Sequence, residues 1–443
     1  MKNYIRVSYG IIMLWMCVAC SQKPSDNMLV NSTLVLPYST SDAALAIREA
    51  VQAIDRDITF WEEKLERTNQ GYLFLKKLSI CYQRKYEYTG NPDYLLNAEE
   101  LLLKAHQEAP VTIKGELCQA ISRNALRMHK FEMAKRYAEE SLNYLPNSVQ
   151  SQLLSFDALL QLKGLAVAEQ QLPNVKYQSI GTVLRLARVK QMKGEEQEAM
   201  ALLEQIGQKA QKLHPELAVS TWVELAELYI RMGMGEKAVK AYESILKIDP
   251  INYTALKGLA WVAYAYDKNI ETAKGLLRFL QQNRETSPDI LWMLADIAAY
   301  QEKTELYQEL LRRFMEVTST GVLRDIYLTK VVELGVDHPE YFPMVLAMAE
   351  ADQAWRPISS TKELLAWCHH RSGNDYEALR LADEVMQDPT GLSPLALYRL
   401  GVIYQDLEES DKSSQLLEKA QEGRFYLGPR WTEELQVYMA KLP

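Results

Sequence analysis

Apolar and polar positions alternate with a helical period along most of the 443-residue chain, and the pattern repeats as a unit. Val219 to Asn252 reads VSTWVELAELYIRMGMGEKAVKAYESILKIDPIN. Trp222, Leu225, Ala226 and Tyr229 make one apolar stripe, and Ala238, Tyr242 and Ile245 make a second. Gly233 separates the stripes and Pro250 closes the unit. The pattern predicts two antiparallel helices. Ala226 and Ala238 allow their close approach, while Leu225, Tyr229 and Tyr242 fill the seam.

The same register recurs along the chain. Glu116 to Ser148 carries Cys118, Ile121, Ser122, Ala125, Ala134, Ala138, Ser141 and Pro146. Ile180 to Leu213 carries Leu186, Ala187, Gly194, Ala199, Leu203 and Ile206; Tyr253 to Pro288 carries Leu259, Ala260, Ala263, Ala273, Leu277 and Leu280. Ser359 to Leu392 and Pro394 to Leu427 continue it, with Ser413 in a small-residue slot, and Gly71 to Pro110 fits with a longer turn. Asn147–Asn174, Asp289–Ser319 and Gly321–Ile358 look like helix pairs that have lost much of the pattern.

From Val219, the residues named fall at positions 4, 7, 8, 11, 15, 20, 24, 27 and 32 of a 34-residue unit, which resembles the tetratricopeptide repeat (TPR). The resemblance covers about Gly71 to Leu427, in seven close units and three diverged ones. It implies an all-α superhelical solenoid at 70–428 with a concave groove. Two flanks are expected to cap it. In 41–69, Ile47, Val51, Ile54, Ile58, Trp61 and Leu65 form a narrow stripe, read as a cap for the first repeat or a coiled-coil seam for self-association. In 429–443, Trp431, Leu435, Tyr438 and Leu442 share one face and resemble the solvating helix that closes such arrays.

The N-terminus predicts targeting. Lys2 and Arg6 precede the short apolar run Gly10–Ala19, so 1–19 reads as a signal peptide. Val18-Ala19-Cys20 resembles the end of a bacterial lipobox, with Cys17 where that motif usually carries Leu. The resemblance implies lipidation at Cys20, a tether over 20–40, and an extracytoplasmic place on a cell-envelope membrane, the outer membrane being favoured.

A net charge of −8 gives no general attraction for nucleic acid. With Cys17 in the leader and Cys20 lipidated, Cys81, Cys118 and Cys368 remain; they are too few and too scattered for a disulfide framework and read as buried apolar side chains. No phosphate loop, nucleophile elbow or paired metal-binding histidine motif occurs. Cys368, His369 and His370 point in different directions on one helix and make a poor metal site. No metal or cofactor is expected, and an enzyme is not.

In the TPR family, groove residues fall at positions 2, 5, 9, 12 and 13 of each first helix. Carried onto this register they are Arg123, Arg127, Arg188, Arg231, Lys257, Trp261, Tyr264, Trp367, His370 and Arg371, with Gln119, Gln191, Glu363, Tyr398 and Gln405 beside them. Arginines at successive groove positions suit carboxylates of an extended peptide, and the aromatics supply anchoring area. The expected function is a non-enzymatic scaffold or assembly factor holding a protein or peptide. The alternative is a glycan-capture lipoprotein of a nutrient-uptake system, with Trp261 and Trp367 as stacking platforms.

Overall fold

A computed structural model describes residues 28–39, 41–67, 71–172, 179–213, 215–282, 284 and 287–442. The predicted signal peptide and Cys20 lie outside them. The described residues form an all-α solenoid without a strand. A short helix α1 (Ser32–Val35) and a 3-10 turn (Leu36–Ser39) lead into α2 (Ser41–Glu66). Ten helix pairs follow. They are α3 (Gly71–Thr89) with α4 (Asp93–Glu108), α5 (Val111–Arg127) with α6 (Phe131–Tyr144), and α7 (Val149–Lys163) with the short α8 (Leu165–Glu169). Next come α9 (Ile180–Met192) with α10 (Glu196–Leu213), α11 (Pro215–Arg231) with α12 (Gly235–Leu246), and α13 (Tyr253–Ala265) with α14 (Ile270–Gln281). The last four are α15 (Pro288–Tyr300) with α16 (Thr304–Thr318), α17 (Gly321–Gly335) with α18 (Phe342–Trp355), α19 (Ser359–Arg371) with α20 (Asp375–Gln387), and α21 (Pro394–Asp406) with α22 (Ser410–Glu422). A final helix, α23 (Arg424–Met439), breaks at Gly428, whose φ of 81° is left-handed.

Each pair closes through its small slots. Ala226 against Ala238 and Ala260 against Ala273 are fully buried, so the helix axes approach without a side chain between them. Where serine replaces alanine, its hydroxyl finds the opposing backbone. Ser122 Oγ donates to the carbonyl oxygen of Ala134 at 2.8 Å, and Ser413 Oγ donates to that of Gly401 at 2.9 Å. A polar atom is thereby buried with its bond made.

Successive superhelical turns touch. Arg284 Nε donates to the carbonyl oxygen of Tyr88, 196 residues away, and His129 Nδ1 lies 3.1 Å from the carbonyl oxygen of Asp325, also 196 residues away. The Gly391 amide donates to the Met192 carbonyl oxygen, and Phe131 stacks on Trp355 at 6.1 Å. One turn therefore takes nearly six 34-residue units, and the groove becomes a narrow central hollow.

The N-terminal flank differs from a free tether. From Met28 onward the chain is docked on the middle of the array. The amides of Leu29 and Val30 donate to the two carboxylate oxygens of Asp267, each at 2.9 Å, and Tyr38 OH donates to the Pro250 carbonyl oxygen at 2.8 Å. Val30 is buried and Tyr38 packs against Phe279. The stripe of α2 is spent inside the chain. Ile54 and Ile58 pack on Leu78 and Cys81, Trp61 stacks on Phe74, and Ile47 joins the core around α11–α14. It presents no continuous seam to a second copy. Among the described residues, no helix is long and apolar enough to cross a membrane.

Candidate functional site

The hollow is lined by the first helices of the pairs, and their inner charges meet one another from repeat to repeat. Arg185 pairs with Asp157, Arg188 with Glu224 at 2.7 Å, Lys257 with Asp289 at 3.0 Å, and Arg371 with Asp337. His370 Nε2 sits 3.3 Å from Asp406, and Tyr398 OH donates to Glu434. Five of these six pairs are 32 to 36 residues apart, about one unit, with the acid ahead in some and behind in others. The predicted arginine stripe is thus largely neutralised inside the chain. Arg123 is different. It is exposed in the hollow with Arg127 and Arg185 as its charged neighbours, and desolvation followed by those like charges lowers its pKa.

The later groove residues are covered. Trp367 is buried beside His370 and Arg371, and Glu363 is buried under Arg399. Gln119 donates to Ser148 and Ser151, Gln405 donates to the Tyr438 carbonyl oxygen, and Gln191 is half-buried. Cys368 lies in the core, away from a metal-like arrangement with His369 and His370.

Residues 424–430 cross the hollow and occupy the inner wall. The Trp261 indole Nε1 donates to the Phe425 carbonyl oxygen at 3.0 Å, and the Phe425 ring stacks on Tyr266 with centroids 3.8 Å apart. Tyr426 comes under the Arg231 guanidinium, which also reaches the Leu392 carbonyl oxygen. Tyr264 OH donates to Asp296, which Arg430 approaches from the segment at 3.9 Å. Burial raises the Asp296 carboxyl against the opposing pull of Arg430 and Tyr264. Beyond Pro429, Trp431, Leu435, Tyr438 and Leu442 pack on the final repeats. The C-terminal element therefore does more than close the array. Trp261 is covered and Trp367 buried, so neither offers a free stacking face.

At the other end of α13 the hollow opens into a cleft of about 620 Å³. Its walls come from the end of α3 (Tyr86, Tyr88), from Arg127, from the start of α13 (Tyr253, Thr254, Lys257), and from Arg284, Asp289 and Tyr327. Arg284 stacks on Tyr253 at 3.8 Å while donating to the Tyr88 carbonyl oxygen, and Arg127 pairs with Glu87 at 2.7 Å. Burial alone would raise Asp289, but Lys257 and hydrogen bonds from Trp292 and Tyr327 hold its carboxyl below the usual range. Burial and then Asp289 push Tyr253 up to about 12. The cleft thus offers held cations, anions and tyrosine rings together, a surface suited to a polar chain with both donors and acceptors. Tyr86, Tyr88 and Arg284 escape sequence reasoning because they meet only when one superhelical turn lies on the next. Phe425 and Tyr426, adjacent aromatics followed by Gly428-Pro429 just past the last repeat, carried a readable signal.

The tetratricopeptide-repeat family profile matches residues 219–252 and 395–422. Against curated protein sequences the chain has no significant match. Among solved structures, a human IFIT1 dimer with PPP-AAAA is 15% identical with a TM-score of 0.46, covering 71% of this chain and 72% of its own. A Rap protein complexed with competence and sporulation factor is 15% identical with a TM-score of 0.42, over 63% and 88%. The APC/C hetero-tetramer Cut9–Hcn1 is 12% identical with a TM-score of 0.35, over 90% and 96%.

Proposed function

We propose that this chain is a non-enzymatic scaffold or assembly factor of the bacterial cell envelope. A lipid on Cys20 anchors it to the membrane, and the hollow of its superhelix holds a protein or peptide partner. One observation carries the reading. The inner wall already accommodates a polypeptide segment, residues 424–430, and the same helix α13 that holds this segment at one end lines a cleft at the other. The wall binds the segment as it would an extended ligand, through a backbone carbonyl and a stacked ring. The TPR architecture is a scaffold suited to protein binding.

The anchor bears on orientation. Eight residue steps separate Cys20 from Met28, whose sulfur accepts from Asn269, a reach of at most roughly 28 Å. A lipid on Cys20 would hold the turn between α13 and α14 within that distance of the membrane surface.

The test is site-specific photocrosslinking in the native cells. A crosslinker replacing Thr254 in the cleft is compared with one replacing Lys240, exposed on the second helix α12. A partner captured from Thr254 and absent from Lys240 is the expected result. Equal capture at both sites, or none, counts against the cleft. The anchor is tested by Cys20→Ser, which should move the protein into the soluble fraction. Retention on the membrane would refute lipidation.

A further inference from the structure

We propose that His106, Cys118 and Glu140 form a metal site for a borderline divalent cation, zinc being the best match, which pins the first repeat to the second. The three side chains come from three helices, α4, α5 and α6, and their donor atoms all lie within 4.8 Å of one another. Among the described residues this is the group of His, Cys, Asp and Glu donors that converges in this way. Its members are far apart in the pattern of the sequence, because α4 closes one unit while α5 and α6 make the next.

The donors are held by packing. Cys118 is fully buried on the inner seam of α5. The His106 ring is set edge-on against Tyr137 at 5.9 Å, and Arg136 lies over the far ring at 4.7 Å. His106 Nε2 is buried and makes no hydrogen bond, although Glu140 Oε1 is 3.1 Å away. With the ring proton on Nδ1, this nitrogen can serve as a metal ligand. The Glu140 carboxylate accepts a hydrogen bond from the Cys118 thiol, and burial followed by this neighbour pushes the thiol up to about 12.

Binding of a dication involves no redox step. The S–H bond breaks heterolytically, sulfur keeps the electron pair and donates it to the metal, and the proton leaves to solvent. The His106 nitrogen and a Glu140 oxygen complete three ligands. One sulfur, one nitrogen and one oxygen suit tetrahedral zinc and are unsuited to magnesium or calcium, which prefer oxygen alone. The Glu140 side chain is 32% exposed and that of His106 15%, which leaves a solvent side for entry and for a water as fourth ligand. The site lies at a helix seam remote from α13, so its role is to stiffen the start of the array.

The test uses the purified full-length chain and Co²⁺ as a spectroscopic probe. One equivalent should give a thiolate-to-cobalt charge-transfer band with visible bands of tetrahedral strength, and Zn²⁺ should abolish both. Cys118→Ser should lose the charge-transfer band, although Cys81 and Cys368 remain. His106→Gln, at a half-buried position, should weaken cobalt binding by about tenfold or more. Absence of the band in the wild type at saturating cobalt overturns the site, as does an unchanged band in Cys118→Ser. Should Cys118→Ser lose its helical circular dichroism, His106→Gln decides: wild-type affinity in that variant also overturns it.

Discussion

The indole nitrogen of Trp261 donates to the carbonyl oxygen of Phe425, 164 residues further along the chain. One bond thus joins the inner wall of the sixth helix pair to the segment that leaves the tenth. Around it, Phe425 stacks on Tyr266 and Gly428 passes beneath the Trp261 ring.

Gly428 tests that seat directly. Its φ is left-handed, and a Cβ there would come within 2.8 Å of the Trp261 ring. Gly428→Ala should destabilise the protein by about 1–3 kcal/mol and lift the segment from the wall. Acrylamide quenching of tryptophan fluorescence should rise as Trp261 is uncovered. Unchanged quenching and melting would mean that the segment is not seated there in solution.

The helix pair α13–α14 supplies two glycines with opposite expectations. A Cβ on Gly258 would meet the buried Tyr242 ring at 2.1 Å, so Gly258→Ala should cost about 1–3 kcal/mol by overpacking. Gly275 has nothing within 4 Å of its Cβ position, so Gly275→Ala should stabilise by roughly 0.5–1 kcal/mol through helix propensity. Urea denaturation reads both, and the same sign for both would refute this packing.

Asp267 receives the backbone amides of Leu29 and Val30. Asp267→Ala leaves both donors unmet at a buried edge and should cost about 1–3 kcal/mol. Limited proteolysis should then cut within 28–39 sooner than in the wild type. An equal cutting rate would show that the docking contributes nothing.

Arg399 is buried between Glu333 at 2.8 Å and Glu363 at 3.4 Å. Burial would raise both carboxyls, yet Lys330 and Arg399 hold Glu333 down at about 2, while Glu363 remains raised. The two therefore act on stability with opposite signs. The contribution of Glu333 is complete above its unfolded value of 4.5 and is lost as pH falls toward about 2. That of Glu363 is present below 4.5 and lost as pH rises through its folded value. Glu333→Gln should accordingly flatten the acid limb of a stability–pH curve between about 4.5 and 2, whereas Glu363→Gln should not. Arg399→Ala should cost about 3–5 kcal/mol at neutral pH by removing the buried cation that Glu333 and Glu363 share. An acid limb unchanged in Glu333→Gln would refute the assignment.

The sequence by itself determined the helix pairs. Ala226 and Ala238 in their slots, Gly233 at the turn and Pro250 at the end act within one unit, and short-range packing needs no distant partner. The same holds for the serines, since Ser122 and Ser413 bond backbone within their own pairs. Even the charge pairing from repeat to repeat was within reach, because Arg188 and Glu224 stand about one unit apart on successive first helices. Tertiary structure decided everything that depends on the angle accumulated from unit to unit. A small rotation per repeat, summed over nearly six repeats, sets Arg284 against Tyr88 and narrows the groove into a hollow. It also brings residues 28–30 to Asp267 and 424–430 to Trp261. No local pattern encodes that sum, so residues read as an open peptide groove are partly paired, partly covered and, around Lys257, part of a cleft wall.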